Sequence, residues 1–186
     1  DLWVLTVARL EPYKGVDTAL NALAQCRREG LEVGYLIVGS GKKRPLYVRL
    51  AEDLGITDAV RFVGNVPDAE LPALFNAATA YIGVSRRADG ARVEGFGVAL
   101  AEASACGLPV IAGQAGGLAE AVQEGETGFV VDPDDPAAVA AAISRLLGDQ
   151  LLARRLGQGG RKAVETYYNW DRVLRDLRDI ESQVSS

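Results

Sequence analysis

The sequence predicts an α/β domain: a doubly wound parallel sheet of about six strands, followed by a helical tail. Apolar, β-rich runs alternate with longer helical patterns from Leu2 to about Val131, which is typical of a parallel sheet with helices on both faces. Several runs, such as 35–38 and 81–84, are continuously apolar, as expected for strands that are buried on both faces. From Pro136 onward the pattern is helical throughout, so a helical tail follows a Rossmann-like body.

The individual elements follow from the same patterns. Strands are predicted at the apolar, β-rich runs, which are 3–8, 34–38, 60–63, 80–84, 109–112 and 128–131. Helices are predicted between these runs, at 16–28, 45–54, 68–77, 97–105 and 117–123. The helix at 68–77 has a clear start, because Asp68 is acidic and Pro72 lies in the first turn. Three further helices form the tail, at 137–147, 150–167 and 170–184.

Length and composition indicate an ordinary globular protein. The chain has 186 residues, and most single domains have roughly 100 to 200, so we expect 1–186 to form one domain with 136–186 as its helical tail. Hydrophobic residues make up 48% and charged residues 24% of the chain, which excludes a disordered, collagenous or coiled-coil protein. No apolar run approaches the ~18 residues of a membrane span and no signal peptide is evident, so a cytoplasmic location is predicted.

Charge and missing residue types exclude several classes of function. The formal net charge is −5 without a basic patch, so no nucleic-acid partner is expected. Histidine is absent, which removes imidazole metal ligands and every Ser-His or Cys-His nucleophile pair. Cys26 and Cys106 are too far apart in the sequence for a CxxC site, which favours a reducing compartment. Methionine is also absent and Asp1 leads directly into a strand-like run, so we expect an excised domain.

Two cations follow the first predicted strand. Arg9 and Lys14 lie in the turn before the first helix, and ligands of doubly wound sheets bind beyond the carboxyl ends of the strands. Two fixed cations at this place suit a diphosphate. The alternative is that both are solvated turn residues, which is the usual state of a single Arg or Lys.

A glycine-flanked turn precedes the fourth predicted helix. Gly95 and Gly97 allow backbone to approach a ligand at a helix start, where unpaired N–H groups and the helix dipole attract phosphate. Glu94 precedes the helix and Glu102 follows about two turns later, so the two carboxylates could accept hydroxyl hydrogen bonds at different places along one ligand. The alternative is a loose turn with Glu102 on the helix surface.

Two common phosphate-binding motifs are excluded. The run from Gly39 to Lys43 lacks the first glycine and the final Ser or Thr of a Walker A loop. The turn after the first strand lacks G-x-G-x-x-G, and no acidic residue follows the second strand as a dinucleotide site requires. Lys42, Lys43 and Arg44 are therefore predicted to form a solvated rim.

Taken together, these motifs resemble the C-terminal, nucleotide-sugar-binding domain of retaining GT-B glycosyltransferases of the GT4 family. The resemblance covers nearly the whole chain and includes the family's E-x7-E signature from Glu94 to Glu102, together with Arg9 and Lys14. The remaining matching segments are 37–41, 60–64, 105–112, 116–117 and 125–128. The motifs are modest individually but specific in their order and spacing.

The resemblance implies a hexosyltransferase-type enzyme and a role for each site residue. Arg9 and Lys14 would neutralise the diphosphate of a UDP-sugar or GDP-sugar donor, so no metal or cofactor is expected. Glu94 would complete the catalytic set as a ligand of the sugar hydroxyls rather than as a nucleophile. The base would lie against backbone near Gly64 and Val66. The phosphate and sugar would be held by Phe96, Gly97 and Val98, and the ribose by Glu102.

The resemblance also implies a missing part and leaves alternatives open. A glycan or lipid acceptor would be held by an N-terminal domain that is not among these residues, so the isolated domain should be inactive, and peripheral association of the full-length enzyme with the inner face of a membrane stays open. The run 86–93 is similar to a form found in some mannosyltransferases that act on inositol lipids. Its arginines, Arg86, Arg87 and Arg92, either meet an anionic acceptor or are solvated. A GT-B-fold sugar-nucleotide epimerase and a non-catalytic binding module are the alternative functions.

Overall fold

A six-stranded parallel sheet lies at the centre of the computed structural model, which describes residues 2–87 and 97–184. Its strands are Leu2–Val7 (β1), Val33–Val38 (β2), Val60–Gly64 (β3), Ala80–Gly83 (β4), Val110–Gly113 (β5) and Gly128–Val131 (β6). All neighbouring strands are parallel, in the order β3-β2-β1-β4-β5-β6. Because the winding direction reverses between β1 and β4, the predicted doubly wound fold class is confirmed.

Helices cover both faces of this sheet. Within the described ranges there are eight α-helices, which are Val16–Arg28 (α1), Arg44–Asp53 (α2), Leu71–Ala77 (α3), Val98–Ala105 (α4), Gly117–Glu120 (α5), Pro136–Gly148 (α6), Gln150–Thr166 (α7) and Trp170–Val184 (α8). Helices α1, α2 and α6 pack on one face, and α3, α4 and α5 pack on the other. The strands are therefore buried from both sides, which explains their continuously apolar sequences.

Two predicted helices have different bounds, each for a local reason. The segment predicted at 68–77 begins as a 3₁₀ turn, Asp68–Glu70, and α3 starts only at Leu71, where Pro72 fits the first turn because it has no N–H to donate. The helix predicted at 117–123 ends at Glu120. Gln123 instead belongs to the turn before β6, since its N–H donates to the Thr127 hydroxyl at 2.9 Å.

The last helix, α8, keeps an apolar side exposed. Leu174, Leu177 and Ile180 follow one another at three-residue spacing on this helix and are 49%, 56% and 57% exposed. Residues three apart lie on neighbouring parts of a helix surface, so these side chains form one stripe. We call it the α8 stripe.

Helix α7 packs Ala153 and Leu156 into the core and also approaches main chain closely at two glycines. An added Cβ at Gly157 would lie 2.0 Å from the carbonyl oxygen of Gly107, in the loop after α4. An added Cβ at Gly159 would lie 2.2 Å from the carbonyl oxygen of Glu126, in the loop before β6. Glycine therefore allows α7 to approach both loops closely.

We predict that Gly157→Ala destabilises the protein whereas Gly148→Ala does not. The added methyl group at position 157 would overlap a main-chain carbonyl that cannot rotate away, and overpacking of this kind costs about 1–3 kcal/mol. At Gly148, the last residue of α6, nothing lies within 4 Å of an added Cβ. Urea unfolding followed by circular dichroism gives both free energies of unfolding, and equal values for the two variants would contradict the close packing of α7.

Candidate functional site

A cleft of about 280 Å³ opens at the carboxyl edge of the sheet, between β1 and β4. These two strands pair at Val4–Ala80 and Leu5–Tyr81, whereas β1 pairs with β2 along all six of its residues. Their ends separate because the winding direction reverses here, and such a switch point is where doubly wound sheets bind ligands. The cleft lining includes Thr6, Ala8, Lys14, Ser85, Gly97 and Val98.

The loop after β1 is held firmly against the end of β4. It contains the 3₁₀ turn Pro12–Lys14 and is closed by Gly15 at φ 69°, where an added Cβ would lie 2.0 Å from the Val84 carbonyl oxygen. The Tyr47 hydroxyl donates to the carbonyl of Glu11 at 3.2 Å. Burial, followed by the repulsion of nearby carboxylates, raises the pKa of Tyr47 to about 12, so this hydroxyl remains a donor at neutral pH.

Tyr13 lies between the two predicted cations and contacts both. Arg9 donates from Nη2 to the Tyr13 hydroxyl at 2.9 Å. The Lys14 ammonium nitrogen lies 5.2 Å from the centroid of the Tyr13 ring, within the range of a cation–π interaction. Tyr13 itself is only 8% exposed. The guanidinium of Arg9 and the ammonium of Lys14 are thus ordered by one buried ring at the carboxyl end of β1.

The start of α4 forms the opposite side of the cleft. Gly97 precedes the helix at φ 74° and ψ 60°, and an added Cβ would lie 2.3 Å from a methyl carbon of Leu118. Because Gly97 and Val98 both line the cleft, the unpaired N–H groups of the first turn of α4 border it. Val98 itself is 65% exposed. The cleft therefore has the Lys14 ammonium on one side and helix amides on the other, which suits an anion.

Arg86, which follows β4, has carboxylate partners within the protein. Its guanidinium forms ion pairs with Asp17 of α1 and, at 3.1 Å, with Asp134 of the loop before α6. Burial opposes the charge of this guanidinium, but the hydrogen bonds and attraction of the two carboxylates raise the pKa of Arg86 overall. Arg86 is thus neither solvated nor directed to a ligand, whereas Arg87 is exposed and Arg92 lies outside the described residues.

Three further predicted site residues, Glu102, Gly64 and Val66, are not among the residues that line the cleft. Glu102, on α4, borders a neighbouring groove of about 500 Å³ that Val98 also lines. Burial and, secondarily, the charge of Asp68 raise the pKa of Glu102. Gly64 ends β3 at φ 82°, and its carbonyl accepts the N–H of Gly39 at 2.8 Å. The remaining predicted residues are Val66, which is half-buried after β3, and Glu94 and Phe96, which lie outside the described residues.

The predicted rim after β2 is exposed, as the sequence predicts. Lys42, Lys43 and Arg44 are all exposed, and the Arg44 guanidinium lies 5.5 Å from the centroid of the Phe62 ring.

A family model covers most of this chain and shows the family to which it belongs. The family model described as glycosyl transferases group 1 matches residues 1–163. The chain belongs to this family. The resemblance to GT4 transferases that the sequence motifs indicate is therefore confirmed.

Individual group 1 relatives and related structures agree with this assignment. The chain is 41% identical over 178 residues to the GDP-mannose-dependent alpha-(1-6)-phosphatidylinositol monomannoside mannosyltransferase of Mycobacterium tuberculosis, covering 95% of this chain and 46% of that protein. Sucrose-phosphate synthase from Thermosynechococcus elongatus superposes with a TM-score of 0.84 and 34% identity, covering 99% of this chain and 45% of that one. HepE of Anabaena in complex with UDP superposes with a TM-score of 0.86 and 26% identity, covering 98% of this chain and 49% of that one. The chain thus spans about half the length of the relatives it matches.

Two residues of this group 1 site could not be assigned from the sequence: Tyr13, which contacts the cleft residue Lys14, and Ser85, which lines the cleft. Tyr13 stands between Arg9 and Lys14, and its position in a cation-flanked turn was the only signal available. Ser85 is 4% exposed and lines the cleft directly after β4. A serine after an apolar strand carries no specific signal, so its place in the cleft could not be predicted.

The described part of this group 1 domain has neither a cluster of metal ligands nor a membrane-spanning helix. Within residues 2–87 and 97–184, no three Cys, Asp or Glu side chains are grouped so as to hold a metal ion. In the same residues, no helix has the length and apolarity needed to cross a bilayer.

We predict that Glu102→Gln raises the stability of the protein near neutral pH. Because the pKa of Glu102 is raised on folding, the folded state binds this proton more tightly than the unfolded state does. The ionised wild-type carboxyl therefore lowers the free energy of unfolding. This loss of stability develops as the pH rises from the unfolded-state pKa of 4.5 through the raised folded-state pKa. The gain should be small, because solvent screens this exposed side chain.

Urea unfolding at pH 3 and pH 7 checks the Glu102 prediction. Glu102→Gln should be more stable than wild type at pH 7 and nearly equal at pH 3. Asp68→Asn removes the secondary cause alone and should give a smaller gain at pH 7. An equal gain at both pH values would show that packing, rather than the proton, explains the effect.

Proposed function

We propose that this chain is the donor-binding half of a retaining glycosyltransferase. The enzyme would transfer a sugar from a UDP-sugar or GDP-sugar to an alcohol acceptor such as a glycan or a lipid. The observation that carries this proposal is the cleft at the switch point, which Lys14 and the first turn of α4 line, with Arg9 linked to Lys14 through Tyr13. A diphosphate matches this site because it presents two adjacent anionic groups to cations and amides.

In this proposal, the chain stabilises the departing diphosphate without a metal ion. Negative charge develops on the diphosphate as the bond to the sugar breaks. Arg9, Lys14 and the first amides of α4 would stabilise that charge from fixed positions, which is more effective than stabilisation by mobile water. Gly97 supports this role because it lets the helix start lie open to the cleft.

The other predicted residues would bind the remaining parts of the donor. Glu102 would accept hydrogen bonds from the ribose hydroxyls, next to Val98 on the same helix. The base would lie against backbone near Gly64 and Val66, after β3. Two residues outside the described ranges, Glu94 and Phe96, are proposed for the sugar and its phosphate.

The names of the relatives support this donor class. The relative from M. tuberculosis is described as GDP-mannose-dependent, and the structure of HepE contains UDP. A D-inositol 3-phosphate glycosyltransferase of Salinispora arenicola is 37% identical over 186 residues. These relatives are glycosyltransferases, which favours transfer over epimerisation or binding without catalysis.

We further propose that the acceptor is held by sequence beyond these residues. The chain covers 46% of the relative from M. tuberculosis, so about half of such a protein would remain for an acceptor domain. The α8 stripe supports contact with that domain, because three large apolar side chains remain exposed on it. We propose a cytoplasmic enzyme that acts at the inner face of a membrane when its acceptor is a lipid.

We predict that Arg9→Ala weakens binding of GDP or UDP about tenfold or more without weakening binding of guanosine or uridine. The reason is that a hydrogen bond to a charged group is worth about 1.5–3 kcal/mol. Isothermal titration calorimetry measures all four ligands. Arg49→Ala is the matched control, because Arg49 lies on the exposed side of α2 and pairs with Asp53 at 3.1 Å. Equal affinity of the wild-type chain for diphosphate and nucleoside would contradict the proposed site.

We predict that this chain alone binds the donor nucleotide but does not transfer sugar. Alignment of acceptor and donor in a closed cleft is worth ~7–11 kcal/mol of the barrier, and the acceptor side would be missing. The assay follows release of GDP or UDP from sugar donors in the presence of candidate acceptors. Turnover should appear when the full-length protein is used, whereas acceptor-dependent transfer by these 186 residues alone would place the acceptor site within them.

A further inference from the structure

We infer that Tyr13 is a positioning residue for the diphosphate site, with its hydroxyl fixing Arg9 and its ring fixing Lys14. This inference rests on the proposed function, because it takes these two cations as the diphosphate ligands. Tyr13 would not touch the reacting atoms. It would act through the two charged side chains that do bind the diphosphate.

The two contacts of Tyr13 use different parts of one side chain. The phenol oxygen accepts a hydrogen bond from Nη2 of Arg9 at 2.9 Å. The aromatic ring faces the Lys14 ammonium, whose nitrogen lies 5.2 Å from the ring centroid. Changing the hydroxyl therefore affects Arg9 alone, and changing the ring affects both cations.

Tyr13 is itself fixed by its surroundings. Its side chain is 8% exposed, and its carbonyl accepts the N–H of Arg86 at 2.8 Å. Arg86 is held in turn by the carboxylates of Asp17 and Asp134. A buried ring in a turn anchored at its main chain provides a rigid base for two long, flexible side chains.

The phenol that orients Arg9 does not neutralise the charge of the Arg9 guanidinium. Asp17 and Asp134 neutralise Arg86, and Asp58 pairs with Arg27 at 2.8 Å, but Arg9 donates to a neutral phenol. A guanidinium has five N–H donors, so one bond to Tyr13 orients the group and, as far as residues 2–87 and 97–184 are concerned, leaves four donors for phosphate oxygens. A carboxylate in the place of the phenol would orient Arg9 equally well but would compete with the diphosphate.

Ordering the cations before the ligand arrives strengthens binding. Arg and Lys side chains lose much rotamer freedom when a ligand immobilises them. Contacts with Tyr13 remove part of that freedom during folding, so less is lost on binding. Tyr13 should consequently affect diphosphate affinity and leave nucleoside affinity unchanged.

Two substitutions separate the hydroxyl from the ring. Tyr13→Phe removes the partner of Arg9 and keeps the ring, whereas Tyr13→Leu removes both. By titration calorimetry, Tyr13→Phe should weaken binding of GDP and UDP about 3- to 10-fold, and Tyr13→Leu should weaken it further. Binding of guanosine and uridine should not change. Arg49→Ala on α2 is the control, since Arg49 lines neither the cleft nor the groove beside Glu102, and it should leave every affinity unchanged.

The double variant distinguishes positioning from an independent effect. In the Arg9→Ala background, Tyr13→Phe should cause no further loss of diphosphate affinity. A further, independent loss of diphosphate affinity in the double variant would overturn the inference. A Tyr13→Phe variant that keeps wild-type diphosphate affinity while Arg9→Ala loses affinity would also overturn it. Either result would leave the proposed function standing. Unchanged affinity in Arg9→Ala would instead overturn the proposed function.

A measurement on the unaltered chain covers the case in which a Tyr13 variant does not fold. Nuclear magnetic resonance of the guanidinium N–H groups reports rotation about the Nε–Cζ and Cζ–Nη bonds. Arg9 should show slowed rotation in the free wild-type chain, before any ligand is added. Fully averaged signals for Arg9 would overturn the inference directly.

Discussion

One buried hydroxyl joins three strands at the point where the sheet reverses its winding. Thr6 of β1 donates to the Ile82 carbonyl of β4 at 2.6 Å, and its oxygen lies 2.8 Å from the hydroxyl of Tyr35 of β2. Since the Thr6 proton is used on Ile82, Tyr35 must be the donor of the second bond, and burial raises the pKa of Tyr35 so that it keeps its proton. The junction ties β1 to both of its neighbours at the cleft, which Thr6 itself lines.

The fold could be predicted from sequence because its signals are local. Each strand is a short apolar run, and the predicted bounds differ from the observed ones by one residue or so, as for β1 at Leu2–Val7. One helix end was predicted wrongly, because it depends on a specific side-chain hydrogen bond rather than on hydrophobic spacing. Helix α5 ends early because Gln123 bonds to Thr127, and hydrophobic spacing carries no trace of such a turn.

The candidate site was predictable only in part, for the same reason. Lys14, Gly97 and Val98 do meet in one cleft, because topology brings the ends of β1 and β4 together. The state of Arg86 could not be predicted, since its partners Asp17 and Asp134 come from segments that are distant in the sequence. A run of arginines has the same appearance whether its charges are exposed or already paired.

The α8 stripe affects how strongly copies of the isolated chain associate in solution. Leu174, Leu177 and Ile180 together place a continuous apolar band on an otherwise charged helix. Where no other domain covers this band, we expect it to favour association between copies, because burying apolar area is favourable whichever surface covers it. Light scattering across a dilution series should therefore accompany every titration, so that association between copies is not mistaken for ligand binding.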